Sequence, residues 1–101
     1  MEQYKYETLL LFSPELNVEN RKEIQDTLTG IIVRDGGQIL EVDEWGMRDL
    51  AYPVKKATRG FYTRLEYSLA PEFVAELERN IRIADGIFKF LTVKLADSDQ
   101  E

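Results

Sequence analysis

Apolar positions along this chain switch between a period of two and a period close to four, and the switches mark its elements. From Tyr4 to Phe12 one parity (Tyr6, Thr8, Leu10, Phe12) can face a core, while the other (Lys5, Glu7, Leu9, Leu11) is polar only at its start. That alternation predicts a strand, and apolar residues on both faces towards its end predict a central one. Ser13-Pro14-Glu15 is turn chemistry. Asn17 is placed to cap a helix, its side-chain oxygen accepting from an orphan N–H of the first turn. Ile24, Leu28, Ile31 and Ile32 then form one helical stripe. Gly30 within it costs roughly 1 kcal/mol against alanine, which close packing on a sheet would explain. Gly36-Gly37 ends the helix.

Gln38 to Trp45 reads as a second strand, with Ile39, Val42 and Trp45 spaced by three, which predicts a bulge or strong twist. Thr58-Arg59-Gly60 reads as a turn. Beyond it Phe61, Thr63, Leu65, Tyr67 and Leu69 alternate with Tyr62, Arg64, Glu66 and Ser68, a half-buried strand. Pro71 suits the first position of a second helix, whose buried stripe is Phe73, Val74, Leu77 and Ile81. Asp85-Gly86 leads to a last strand from Ile87 to Leu95. The order β-α-β-β-α-β predicts an α+β, ferredoxin-like domain over residues 1–96. It has a four-stranded antiparallel sheet of order 4-1-3-2, both helices on one face and the other face uncovered. Residues 97–101, with Asp97, Asp99 and Glu101, read as an acidic, solvated and mobile tail.

Composition narrows the function. In 101 residues there is no cysteine and no histidine, which removes thiolate chemistry, disulfides and the side chain best suited to proton transfer near neutrality. Neither a catalytic centre nor a metal or cofactor site is expected. Asp43 and Glu44 are adjacent carboxylates, but strand neighbours point to opposite faces and cannot share a substrate. No apolar run approaches the ~20 residues that cross a bilayer, and Met1-Glu2-Gln3 does not open like a signal peptide, so a cytoplasmic protein is expected.

Charge is segregated. From Gly46 to Arg64 five basic residues accompany one acid, a local +4 that leaves −10 on the rest of a chain of net charge −6. At the centre of this island lies Trp45-Gly46-Met47-Arg48-Asp49-Leu50-Ala51-Tyr52-Pro53-Val54-Lys55-Lys56, too long and too rich in aromatic and basic residues for a tight hairpin alone. Two readings of it stand. Leu50, Tyr52 and Val54 alternate, so it can be the long start of the third strand with its cations an ordinary solvated rim. Alternatively Arg48, Lys55, Lys56, Arg59 and Arg64 neutralise phosphates while Tyr52 and Tyr62 offer rings to bases. Arg59-Gly60-Phe61 matches the opening of the RNA-recognition motif's third strand. The match then fails at Tyr62, Thr63, Arg64 and Glu66, which predicts contact through loops and edges rather than bases stacked on the sheet centre.

The stretch from Gly46 to Lys55 resembles the signature of bacterial small-subunit ribosomal protein six: glycine, any residue, basic, polar, leucine, small, tyrosine, any residue, isoleucine, then basic or small polar. Only Val54 departs, by one methylene. Tyr6-Glu7, Pro14 with Leu16, Gly60 with its aromatics, and the Leu77 to Asp85 segment extend the likeness over the chain. The resemblance implies a ferredoxin-like fold without catalysis. It also implies binding to the central domain of small-subunit ribosomal RNA in the bacterial cytoplasm, as a heterodimer with small-subunit ribosomal protein eighteen. No membrane and no small-molecule substrate are implied. Of the signature positions, Arg48, Tyr52 and Lys55 carry over to RNA binding; Lys56, Arg59 and Arg64 join them on charge alone. Glu2-Gln3 replace residues that are often basic in the family, and the region of Gly86 is less basic, with Arg79, Arg82 and Lys89. The competing reading is an oligomeric ligand-sensing or regulatory module on the same fold, associating through the open sheet face.

Overall fold

The period-two segments pair as one sheet. In the computed structural model, which describes residues 2–97, β1 (Tyr4–Phe12) leads into α1 (Val18–Arg34), and β2 (Gln38–Val54) into β3 (Ala57–Leu69). A 3-10 turn (Pro71–Phe73) then opens α2 (Val74–Ile83), and β4 (Ile87–Asp97) completes the sheet. The strands are antiparallel neighbours in the order β2-β3-β1-β4, the expected order read from the other edge.

Parity decides which side chains meet the helices. Tyr6, Leu10 and Phe12 of β1 and Leu65, Tyr67 and Leu69 of β3 form one cluster with Leu28, Ile31 and Ile32 of α1 and Leu77 and Ile81 of α2. Each leucine or isoleucine withdrawn from water here contributes about 1.5–3 kcal/mol. The Tyr67 hydroxyl, wholly buried, is satisfied by Thr8 Oγ1 at 2.7 Å, which lies 2.9 Å from Thr92 Oγ1. An unpaired hydroxyl there would cost the core its full desolvation. Asn17 caps α1 as expected, Oδ1 accepting from the Asn20 amide at 2.7 Å.

The second and third strands differ most from expectation. β2 does not stop at Trp45 but runs to Val54, and the turn lies at Lys55-Lys56, both with left-handed φ (50° and 68°). That is the two-residue geometry whose twist matches paired strands. Thr58-Arg59-Gly60 is therefore not a turn but part of β3, because pairing with β2, interrupted between Asp49 and Val54 but resumed at Val54 opposite Ala57, carries that strand back to Ala57. The central stretch is not the start of the third strand but the second half of β2, one arm of a long hairpin closed by a tight turn. The expected bulge is present: register shifts between Ile39 and Glu41 and between Glu44 and Gly46. Straight, seventeen residues at ~3.3 Å each would exceed 50 Å, yet the longest dimension of the molecule is 42 Å. β2 must bend, and bulges bend strands.

Smaller corrections follow from the same packing. Pro71 begins a 3-10 turn rather than α2 itself. Gly30 faces solvent, with nothing within 4 Å of the place a methyl would take, so close packing does not explain it. Pairing of Tyr4 with Asp97 carries β4 two residues past Leu95. Asp97, expected to open the acidic tail, is thus the last residue of β4, and the rest of that expected tail, residues 98–101, lies outside the described residues. Among the described residues no helix is long and apolar enough to cross a membrane.

Candidate nucleic-acid interface

β1 pairs with β3 only as far as Phe12 opposite Phe61, so residues 57–60 of β3 and their β2 partners extend past the end of β1 as an arm. Four of the candidate cations lie on it. Arg48 sits opposite Gly60 and Asp49 opposite Arg59, while Lys55 and Lys56 form the tip. All four cations are exposed. Arg59 Nε meets Asp49 Oδ1 at 3.0 Å, but both side chains are more than half exposed. Such a surface pair is worth ~0–1 kcal/mol and leaves Arg59 able to exchange its partner for a phosphate. Arg48 donates weakly to the Trp45 carbonyl at 3.4 Å, its guanidinium 5.6 Å from the Trp45 ring. Trp45 lies 6.1 Å from Tyr62, on the face away from the helices.

Tyr52 is exposed, and its peptide bond to Pro53 is trans. Its hydroxyl takes a hydrogen bond from Lys89 Nζ at 2.9 Å, and the ammonium also lies 5.2 Å from the ring. That hydrogen bond, reinforced by the charge, holds the Tyr52 phenol below its usual pKa and Lys89 above its own. At the tip the Lys55 ammonium is 5.7 Å from the Phe88 ring. The arm therefore curls back over the start of β4, and its own Leu50 and Val54 are half-buried. Lys89 and Phe88 join the site only through this curl. Lys89 is 37 positions from Tyr52, and no local pattern links them.

Arg64 does not join the arm. It lies mid-sheet on the uncovered face with its side chain 19% exposed, gripped by Glu7 at 3.0 Å, Glu66 at 2.9 Å and Glu41 at 3.5 Å. The hydrogen bond to Glu66 leads in raising its pKa further, against the opposing effect of burial. Beside this cluster the uncovered face carries Leu9, Leu11 and Leu91 around Tyr62. Phe61 turns to the helix side, under the Arg21 guanidinium at 3.6 Å, and so is not a platform for bases.

The sheet order, the shared helix face and the cationic arm together define a ferredoxin-like α+β protein with four exposed cations gathered on one projecting hairpin. Comparison with known proteins gives the family. The model of the ribosomal protein S6 family matches residues 5–94. Small ribosomal subunit protein bS6 of Oleidesulfovibrio alaskensis is 62% identical over 97 residues, 96% of each chain. That of Desulfovibrio desulfuricans is 64% identical over 93 residues, 92% of this chain and 91% of its own. The crystal structure of 30S ribosomal protein S6 from Thermotoga maritima superposes with a TM-score of 0.87 at 28% identity, covering 92% of this chain and 88% of that one. This chain belongs to the ribosomal protein S6 family.

Proposed function

We propose that the chain is a non-catalytic, RNA-binding constituent of the bacterial small ribosomal subunit, acting in the cytoplasm. It holds the central domain of small-subunit ribosomal RNA together with small-subunit ribosomal protein eighteen. One observation carries the RNA part of this reading: Arg48, Lys55, Lys56 and Arg59 stand exposed on one arm, accompanied by the single carboxylate of Asp49. Cations placed at the tip and flank of a projecting hairpin can reach phosphates that the acidic body would repel. Tyr52 contributes an exposed ring on the same arm. Arg64 is assigned to the sheet face, where three carboxylates already occupy its donors. The particle is supplied by the relatives, which are small ribosomal subunit proteins by name.

A strongly basic partner suits the remaining −10 of charge, since complementary potentials speed encounter and disfavour wrong partners. Membership of a ribosomal family weighs against the alternative of a ligand-sensing module. The test is affinity for central-domain RNA, measured with and without ribosomal protein eighteen over a range of salt. Binding is expected to tighten with the partner. Arg48→Ala with Lys55→Ala should weaken it and reduce the slope of log affinity against log salt by about one for each phosphate no longer neutralised. An unchanged slope would remove these residues from the phosphates. A homodimer recovered from extract without ribosomal components would overturn the reading.

A further inference from the structure

Beside the tip of the arm, between the Lys55-Lys56 turn and the Ser13-Pro14-Glu15 turn after β1, lies a hollow of about 560 Å³. Its size falls within the ~300–1,000 Å³ of small-ligand pockets. Its lining divides by chemistry. Lys55, Lys56 and Arg59 supply three cations, and Phe88 supplies a half-buried ring. Ser13 and Glu15 supply a hydroxyl and a carboxylate. Cations alone would suit any phosphate. A ring beside them suits a flat group that carries a phosphate, and RNA offers one wherever a nucleotide is unpaired. Paired bases within a duplex show only their edges to a protein.

Resting on the RNA-binding role proposed above, we infer that this hollow takes one unpaired nucleotide, its base against Phe88 and its phosphate among Lys55, Lys56 and Arg59. The polar groups fit the base edge. Glu15 as a carboxylate can only accept, which favours a base presenting N–H donors. Ser13 Oγ already accepts the Glu15 amide at 3.1 Å and keeps its own O–H to donate. The turn supports the assignment independently. Both lysines hold left-handed φ, where a residue with a Cβ costs roughly 1–2 kcal/mol and asparagine or glycine would cost less. Strain of this kind persists only where the surrounding structure imposes it, and it clusters at binding and active sites.

The complex of the full chain, ribosomal protein eighteen and central-domain RNA tests this by ultraviolet cross-linking and mass spectrometry. The expected product is a single-nucleotide adduct at Phe88, traced to a position unpaired in the RNA. In parallel, Phe88→Leu should lower RNA affinity about tenfold without changing its salt slope, because a base stack is removed while every phosphate keeps its cation. Phe88→Tyr, which keeps the ring, should restore it. Wild-type affinity in Phe88→Leu, or an adduct only at a base-paired position, overturns the nucleotide pocket. If Lys55→Ala still weakens binding and flattens its salt dependence in that case, the broader RNA-binding role survives. If the wild-type complex does not bind the RNA, both fall together.

Discussion

Lys55 and Lys56 occupy positions that an unconstrained hairpin would give to asparagine and glycine, and the two demands can be separated. Lys55→Asn with Lys56→Gly relieves left-handed strain, so urea unfolding should show a gain of about 1 kcal/mol. The same change removes two cations from the tip. RNA affinity should fall, with a salt slope smaller by about two. A stability gain with unaltered RNA binding would show that the tip does not touch phosphate. At the same scale, two tyrosines should titrate on opposite sides of their ordinary value of 10.0. The hydrogen bond and charge of Lys89 lower the Tyr52 phenol; burial raises Tyr67 despite its threonine partners. For Tyr67 the unfolded chain loses its proton first, so stability present below pH 10 is lost as pH rises towards the folded value. For Tyr52 the folded phenol ionises first, so its contribution is complete above pH 10 and is lost as pH falls through its folded pKa. Phenolate absorbance should show an early, reversible step abolished by Tyr52→Phe and a late step, abolished by Tyr67→Phe, that accompanies unfolding.

Among the elements, two glycines show how position decides the sign of one chemical change. Gly30 lies exposed within α1 with open space where a methyl would go, so Gly30→Ala should stabilise by about 0.5–1 kcal/mol. In β3 at Gly60, a Cβ would stand 2.5 Å from Leu11 Cδ1 and 2.9 Å from the Phe12 carbonyl oxygen. The carbonyl belongs to a strand and cannot step aside, so Gly60→Ala should destabilise by about 1–3 kcal/mol. Thermal or urea unfolding of the two variants checks both signs. Both glycines are visible in the sequence, but neither role is legible there. Periodicity places Gly30 within a helix without saying that its side faces water. The run Thr58-Arg59-Gly60 has turn composition; only pairing with β2 shows that Gly60 lies in a strand, and only the packing of that strand against the end of β1 shows the close approach. The length of β2 is hidden for a related reason: its bulges interrupt the alternation that identifies a strand.

For the whole molecule, the acidic body and the cationic arm act against each other. Glu19, Glu23 and Asp26 are exposed on α1, and on the proposed reading they and their fellow acids repel RNA that makes no contact with the arm. Replacing these three by Gln, Gln and Asn should leave stability within ~0.5 kcal/mol. It should raise binding to an RNA of scrambled sequence, measured by filter binding at low salt. No rise would show that the body's charge has no part in suppressing unspecific contact.

By itself the chain's alternation of periods determined the element order and the sheet order. Each core face was legible too, because burying Tyr6, Leu10, Phe12, Leu65 and Leu77 together requires that arrangement. The local signature from Gly46 to Lys55 likewise disclosed the family. The tertiary structure alone decided what each cation faces. Arg64 and Arg59 look alike in sequence. Cross-strand registry surrounds one with carboxylates at mid-sheet and leaves the other on an arm. The same registry, with the bend in β2, brings Lys89 and Phe88 of β4 to Tyr52 and Lys55. Contacts between residues so far apart in the chain depend on how the strands curve and pair, which no local pattern of hydrophobic and polar residues records.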